Sequence, residues 1–127
     1  MKLFLLTLLV SLAFPQAAFS KNWSAKLFKA VKECDVEKIE KAIKKGADVE
    51  AMNGIYNGQT NRYTPIVLAA RTNCIEGVRI LLDHKANPNF GRAIDTNRPL
   101  MIAARWNYIE IAKILLDPKY KTDVNAA

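Results

Sequence analysis

The 127 residues carry 19 Lys or Arg against 12 Asp or Glu, for a formal charge of +7, and half of them are hydrophobic. A chain of this size is one small domain, able to bury a core if its elements stack on one another. One His and two distant Cys leave no clustered zinc ligands, and the basic excess is spread too evenly to form a nucleic-acid stripe.

The chain opens on Met1-Lys2 and an apolar run from Leu3 to Phe14, broken by Thr7 and Ser11. Pro15 and the small-residue site Ala18-Phe19-Ser20 follow. One positive charge, an apolar stretch and a small-x-small end have the layout of a secretory signal peptide. The run is shorter than the ~20 residues of a bilayer span, and no stop-transfer segment follows it. Cleavage is expected after Ser20, leaving residues 21–127 as the mature domain, periplasmic or secreted. Loss of Lys2 lowers the formal charge from +7 to +6, since residues 1–20 hold no acid. An acidic partner or an anionic envelope surface could use that charge, and a generic solvated surface accounts for it more simply.

Next, Leu27, Phe28, Ala30 and Val31 fall at helical spacing, and Val36, Ile39, Ala42 and Ile43 mark a second helix that stops at Gly46. Another pair opens at Thr64-Pro65, an N-cap residue type followed by a Pro whose missing N–H costs nothing in a first turn. It runs through Ile66, Leu68, Ala69 and Ala70 to Asn73, which tolerates the left-handed conformation that ends a helix. Its second helix carries Ile75, Val78, Ile80, Leu81 and Leu82. The pattern returns 34 residues later, Pro99 for Pro65 and Ala103-Ala104-Arg105 for Ala69-Ala70-Arg71. Glu37, Glu76 and Glu110 sit near the start of each second helix, where a carboxylate offsets the positive helix end. Two short helices cannot bury both apolar faces alone, so the copies must stack, and three reach the usual minimum for a solenoid.

Thr64-Pro65-Ile66-Val67-Leu68-Ala69-Ala70 is similar to the ankyrin T-P-L-H-x-A-A core. Gly46-Ala47-Asp48-Val49 resembles the ankyrin G-A-D-V-N end, echoed at Ala86-Asn87-Pro88-Asn89 and Asp123-Val124-Asn125-Ala126. On these motifs residues 24–127 resemble the ankyrin-repeat family. The resemblance implies an all-α solenoid of about three helix-turn-helix repeats, near 24–51, 52–90 and 91–127, joined by β-hairpin fingers. It also implies binding through the fingers and the concave face, with no cofactor. Several residues depart from the family pattern. Val67 and Met101 stand where ankyrins have His, and Arg98 replaces the capping Thr, a cost of roughly 1 kcal/mol. Gly77 stands inside a helix, where it costs about 1 kcal/mol against Ala and suggests room for a bulky neighbour such as Phe28 or Trp106, in preference to a ligand groove. Lys85 replaces the helix-ending Gly, and residues 117–122 lengthen the last turn.

Ala47 to Ala86 spans 39 residues against 34 from Pro65 to Pro99, and the surplus enlarges the first finger, MNGIYNGQTNRY. Asn53-Gly54 and Asn57-Gly58 are favourable turn dipeptides, which places Ile55-Tyr56 near the tip and Tyr63 at the base. A tolerated surface insertion costs little. A partner-gripping finger is the preferred reading, because Tyr supplies rigid contact area at interfaces. The candidate protein-binding residues are Ile55, Tyr56, Asn57, Gln59 and Tyr63 of this finger, with Phe90, Arg92, Ile94 and Asp95 of the second. Arg71, Arg105 and Trp106 end the first helices, on the concave side by the resemblance, whereas Tyr108 is read as last-repeat packing. Cys34 and Cys74 fall in equivalent inter-helix turns of adjacent repeats. Export places them where disulfides persist, yet a family stack spacing of roughly 10 Å exceeds the ~4.4–6.8 Å between bridged Cα atoms. That spacing weights the pair toward free thiols, with a bridge kept open.

No G-x-S-x-G, H-E-x-x-H, phosphate-binding Gly loop or calcium loop occurs, and His84 is read as capping or packing a helix end. The chain is therefore read as a binding module, not an enzyme, with no metal and no nucleic acid among its partners. The expected function is an exported module, monomeric alone, that docks an envelope enzyme and inhibits or sequesters it; immunity against a cell-wall hydrolase is the sharpest form. A structural or stress-protection periplasmic protein without one tight target is an alternative, as is a secreted host-directed effector.

Overall fold

A computed structural model describes residues 16–52, 63–89 and 98–122. These form six α-helices: α1 Gln16–Glu33, α2 Val36–Lys44, α3 Pro65–Arg71, α4 Ile75–Asp83, α5 Pro99–Arg105 and α6 Ile109–Leu115, followed by a 3-10 turn at Pro118–Tyr120. Helix α1 begins at Gln16, ahead of the expected mature terminus at Lys21. Consecutive helices pair as α1/α2, α3/α4 and α5/α6, and the pairs stack α1 on α3 on α5 and α2 on α4 on α6. Leu27, Val31, Ile39, Ile66, Val78, Leu81, Ile111 and Leu115 close one continuous core through the three repeats. Ala69, Ala70 and Ala103 are buried where first helices meet, since a methyl group lets the backbones approach. The result is the all-α solenoid expected from the repeats. Both finger segments, 53–62 and 90–97, lie outside the described residues.

The three inter-helix turns superpose in register. The N–H groups of Asp35, Cys74 and Tyr108 donate to the carbonyls of Ala30, Ala69 and Ala103, at 2.9, 2.9 and 2.8 Å. The residue before each takes the left-handed conformation: Cys34 at φ 52°, Asn73 at 54° and Asn107 at 59°. Asn adopts that region at little cost. At the ends of second helices Gly46 has φ 102° and Lys85, its counterpart, φ 70°, so the Lys accepts a conformation suited to Gly.

Capping differs from expectation. Asp35 accepts a hydrogen bond from the Lys38 N–H at 3.2 Å, which caps α2. Thr64 and Arg98 precede Pro65 and Pro99, and neither side chain caps its helix. Arg98 therefore forfeits no capping bond relative to Thr64. The preset backbone angle of each Pro starts these helices instead. Loop hydrogen bonds tie neighbouring repeats together: the Asn87 N–H donates to Glu50 Oε1 at 2.7 Å, and Tyr120 donates its hydroxyl to Asp83 Oδ1 at 2.6 Å.

Cys34 and Cys74 are joined by a disulfide, Sγ to Sγ 2.03 Å, with Cα atoms 5.5 Å apart. Helix-stack spacing was the wrong measure, because the two residues do not occupy equivalent positions. Cys34 takes the left-handed place of Asn73 and Asn107, while Cys74 takes the next place, that of Asp35 and Tyr108. A left-handed residue at the end of one turn reaches across to the following position in the next repeat. The bridge also explains Gly77. A Cβ built there meets Cys74 Sγ at 2.7 Å, so the room is for the disulfide and not for Phe28 or Trp106.

Candidate protein-binding surface

The described candidate residues separate into a fixed pair and an open pair. Tyr63 is 2% exposed and the Arg71 guanidinium lies 4.6 Å from its ring centroid. The enclosed ring holds Arg71 by a cation–π contact and leaves little surface for a partner. Arg105, the register counterpart of Arg71, is exposed, and Trp106 beside it is 62% exposed. Ile55, Tyr56, Asn57, Gln59, Phe90, Arg92, Ile94 and Asp95 lie outside the described residues.

Comparing positions that share a register shows which other apolar side chains the third repeat leaves exposed. Val67, Ala70 and Leu82 of the second repeat are buried, because the third repeat packs over them. Their counterparts Met101, Ala104 and Leu116 are exposed, and Ile109 is more exposed than its counterpart Ile75. The third repeat thus displays, open, the face that the second repeat keeps covered. A lone exposed apolar side chain needs no explanation, whereas four large ones exposed on one repeat make that repeat a candidate interaction surface. Trp, the type of residue 106, is among those enriched at the energetic centres of interfaces. Sequence reading singled out Arg105 and Trp106 and passed over Met101, Ile109 and Leu116, which repeat like core residues: their counterparts Val67 and Leu82 are buried, and Ile75 packs half-buried against the core. Tyr108 is half-buried against the core, as packing requires.

His84 is exposed at the C-terminal end of α4, where its backbone N–H donates to the Ile80 and Leu81 carbonyls at 3.1 Å. Among the described residues no group of three His, Cys, Asp or Glu could hold a metal, and no helix is long and apolar enough to cross a membrane.

A family model for ankyrin repeats (3 copies) matches residues 27–127, and the chain belongs to the ankyrin-repeat family. No curated protein matches it. Ankyrin repeats are generally non-enzymatic protein-interaction modules, and the open face on the third repeat suits that use.

Proposed function

We propose that the protein is an exported binding module that docks an envelope enzyme and inhibits or sequesters it. The observation that carries the docking is the open stacking face of the third repeat, Met101, Trp106, Ile109 and Leu116, at 38, 62, 55 and 50% exposure. Inhibition is what such a face achieves by itself, by covering a partner's active-site mouth. Immunity against a cell-wall hydrolase is the most specific form of the reading. The N-terminal apolar run supports export, and the Cys34–Cys74 bridge fits an oxidising compartment, where disulfides persist.

The test is capture from native envelope extract with the unaltered protein and a Trp106→Ala, Ile109→Ser variant as paired baits. Both side chains are largely exposed, so the variant should keep its melting temperature. One enzyme retained by the unaltered bait only, and losing activity when the purified protein is added, is the expected result. Identical, diffuse captures would remove the inhibitor reading and favour a structural or stress-protection role.

A further inference from the structure

The opposite end of the stack carries a second site. A groove of about 260 Å³ between α1 and α2 is lined by Trp23, Ala30 and the side chains of Lys26, Lys29, Lys38 and Lys41. Register explains its place. Lys26 stands where later repeats have Pro65 and Pro99, Lys29 where they have Leu68 and Ile102, and Lys38 where they have Gly77 and Ile111. Those counterparts are buried. The groove is therefore the outer face of the first repeat, with Lys26, Lys29 and Lys38 at positions that are elsewhere buried and Lys41 where Ile80 and Ile114 are half-buried.

An end repeat needs a polar outer face, which explains why these positions are polar but not why all four share one sign. A solvated surface ordinarily mixes charges. Among the described residues no carboxylate lines the groove, although residues 21–51 contain six acids against eight bases. The sequence-even charge is sorted in space. Lys29 and Lys41 have no ion-pair partner among the described residues; Lys38 reaches Glu33 and Asp35, neither of which lines the groove, at 3.7 and 3.8 Å. The Lys26 ammonium lies 4.2 Å from the Trp23 ring centroid, which sets an aromatic side chain within the cationic lining.

We propose that this groove binds a Glu- or Asp-rich peptide segment, its carboxylates held among Lys26, Lys29, Lys38 and Lys41 and a neighbouring side chain resting against Trp23. Concavity favours a peptide over a lipid surface. A cavity of this volume admits a few side chains of an extended chain, while headgroups confined to a plane meet only its rim. The proposal adds a second contact surface to the protein-binding reading and rests on it only for the class of ligand.

Trp23 and Trp106 are the two tryptophans, so a Trp106→Phe variant leaves Trp23 as the sole indole reporter. Its fluorescence is titrated with hexaglutamate, with hexaglutamine and with anionic phosphatidylglycerol vesicles. Saturable change with hexaglutamate alone is expected, weakened about tenfold by Lys29→Gln with Lys41→Gln and reduced by added salt. Those substitutions keep the face polar and should leave the melting temperature unchanged, which separates lost binding from lost folding. Lys85→Gln with Lys119→Gln, remote from the groove, should leave the affinity unchanged. Equal loss from that pair would show diffuse attraction and overturn the site. Vesicle binding without hexaglutamate binding would overturn it in favour of a lipid surface. Because Trp106 is already replaced, neither result bears on the third-repeat face, whose failure is read from the capture experiment alone.

Discussion

Replacing Gly77 by Ala should destabilise the protein, although Ala is the better helix former. In an ordinary helix the change gains about 1 kcal/mol. Here the added Cβ would lie 2.7 Å from Cys74 Sγ, an atom anchored at both ends by the disulfide. Forcing extra volume into a packed site costs typically 1–3 kcal/mol, so the net loss should be about 1 kcal/mol. Without the sulfur, the nearest contacts are Cys74 Cβ at 3.4 Å and Ile39 Cδ1 at 3.6 Å, both ordinary. In a Cys34→Ser, Cys74→Ala background the same Gly77→Ala change should therefore stabilise by about 1 kcal/mol. The sign reverses, and the coupling between the sites is about 2 kcal/mol. Urea unfolding of the four proteins, followed by far-UV circular dichroism, measures it, with mass spectrometry confirming the bridge. Equal effects of Gly77→Ala in both backgrounds would refute the assignment of Gly77 to the disulfide.

The bridge itself joins residues 40 apart, and chain entropy for such a loop is worth about 4 kcal/mol. Cys34→Ser, at an exposed position that leaves no core cavity, should show that loss as a lower urea midpoint, and an unchanged midpoint would mean the native stack gains nothing from the link. Lys85→Gly should raise stability by about 1 kcal/mol, because φ 70° suits Gly; a loss on thermal unfolding would show that the Lys side chain does more than tolerate the turn. Tyr120→Phe should cost about 1 kcal/mol at neutral pH by removing the bond to Asp83. That bond, chiefly, raises the Tyr120 pKa above its usual 10.0. Its contribution is thus complete below pH 10.0 and fades as pH rises through the raised value, so the two proteins should converge in alkali; a gap that persists there would refute the link.

The repeat was legible because the chain encodes its period locally. Pro65 and Pro99 start first helices, and Asn73 and Asn107 accept left-handed turns. Apolar residues at helical spacing then leave each pair with faces that only another pair can cover. The same periodicity hid the open face of the third repeat, since Val67 and Met101, or Leu82 and Leu116, look alike until a neighbour covers one and not the other. Arg71 and Arg105 differ for the same reason, one held over Tyr63 and one exposed. The extra spacing between the first two repeats was readable, while the burial of Tyr63 was not, because position beside a turn does not say whether a ring is enclosed. The disulfide depended on a one-residue offset and a left-handed Cys34, features of three-dimensional stacking that no spacing along the chain reveals. Gly77 became intelligible only with that bridge in place. By itself the sequence determined a stack of three helix pairs. Contacts between the pairs decided which side chains are sealed and which stay open, because burial belongs to neighbours in space.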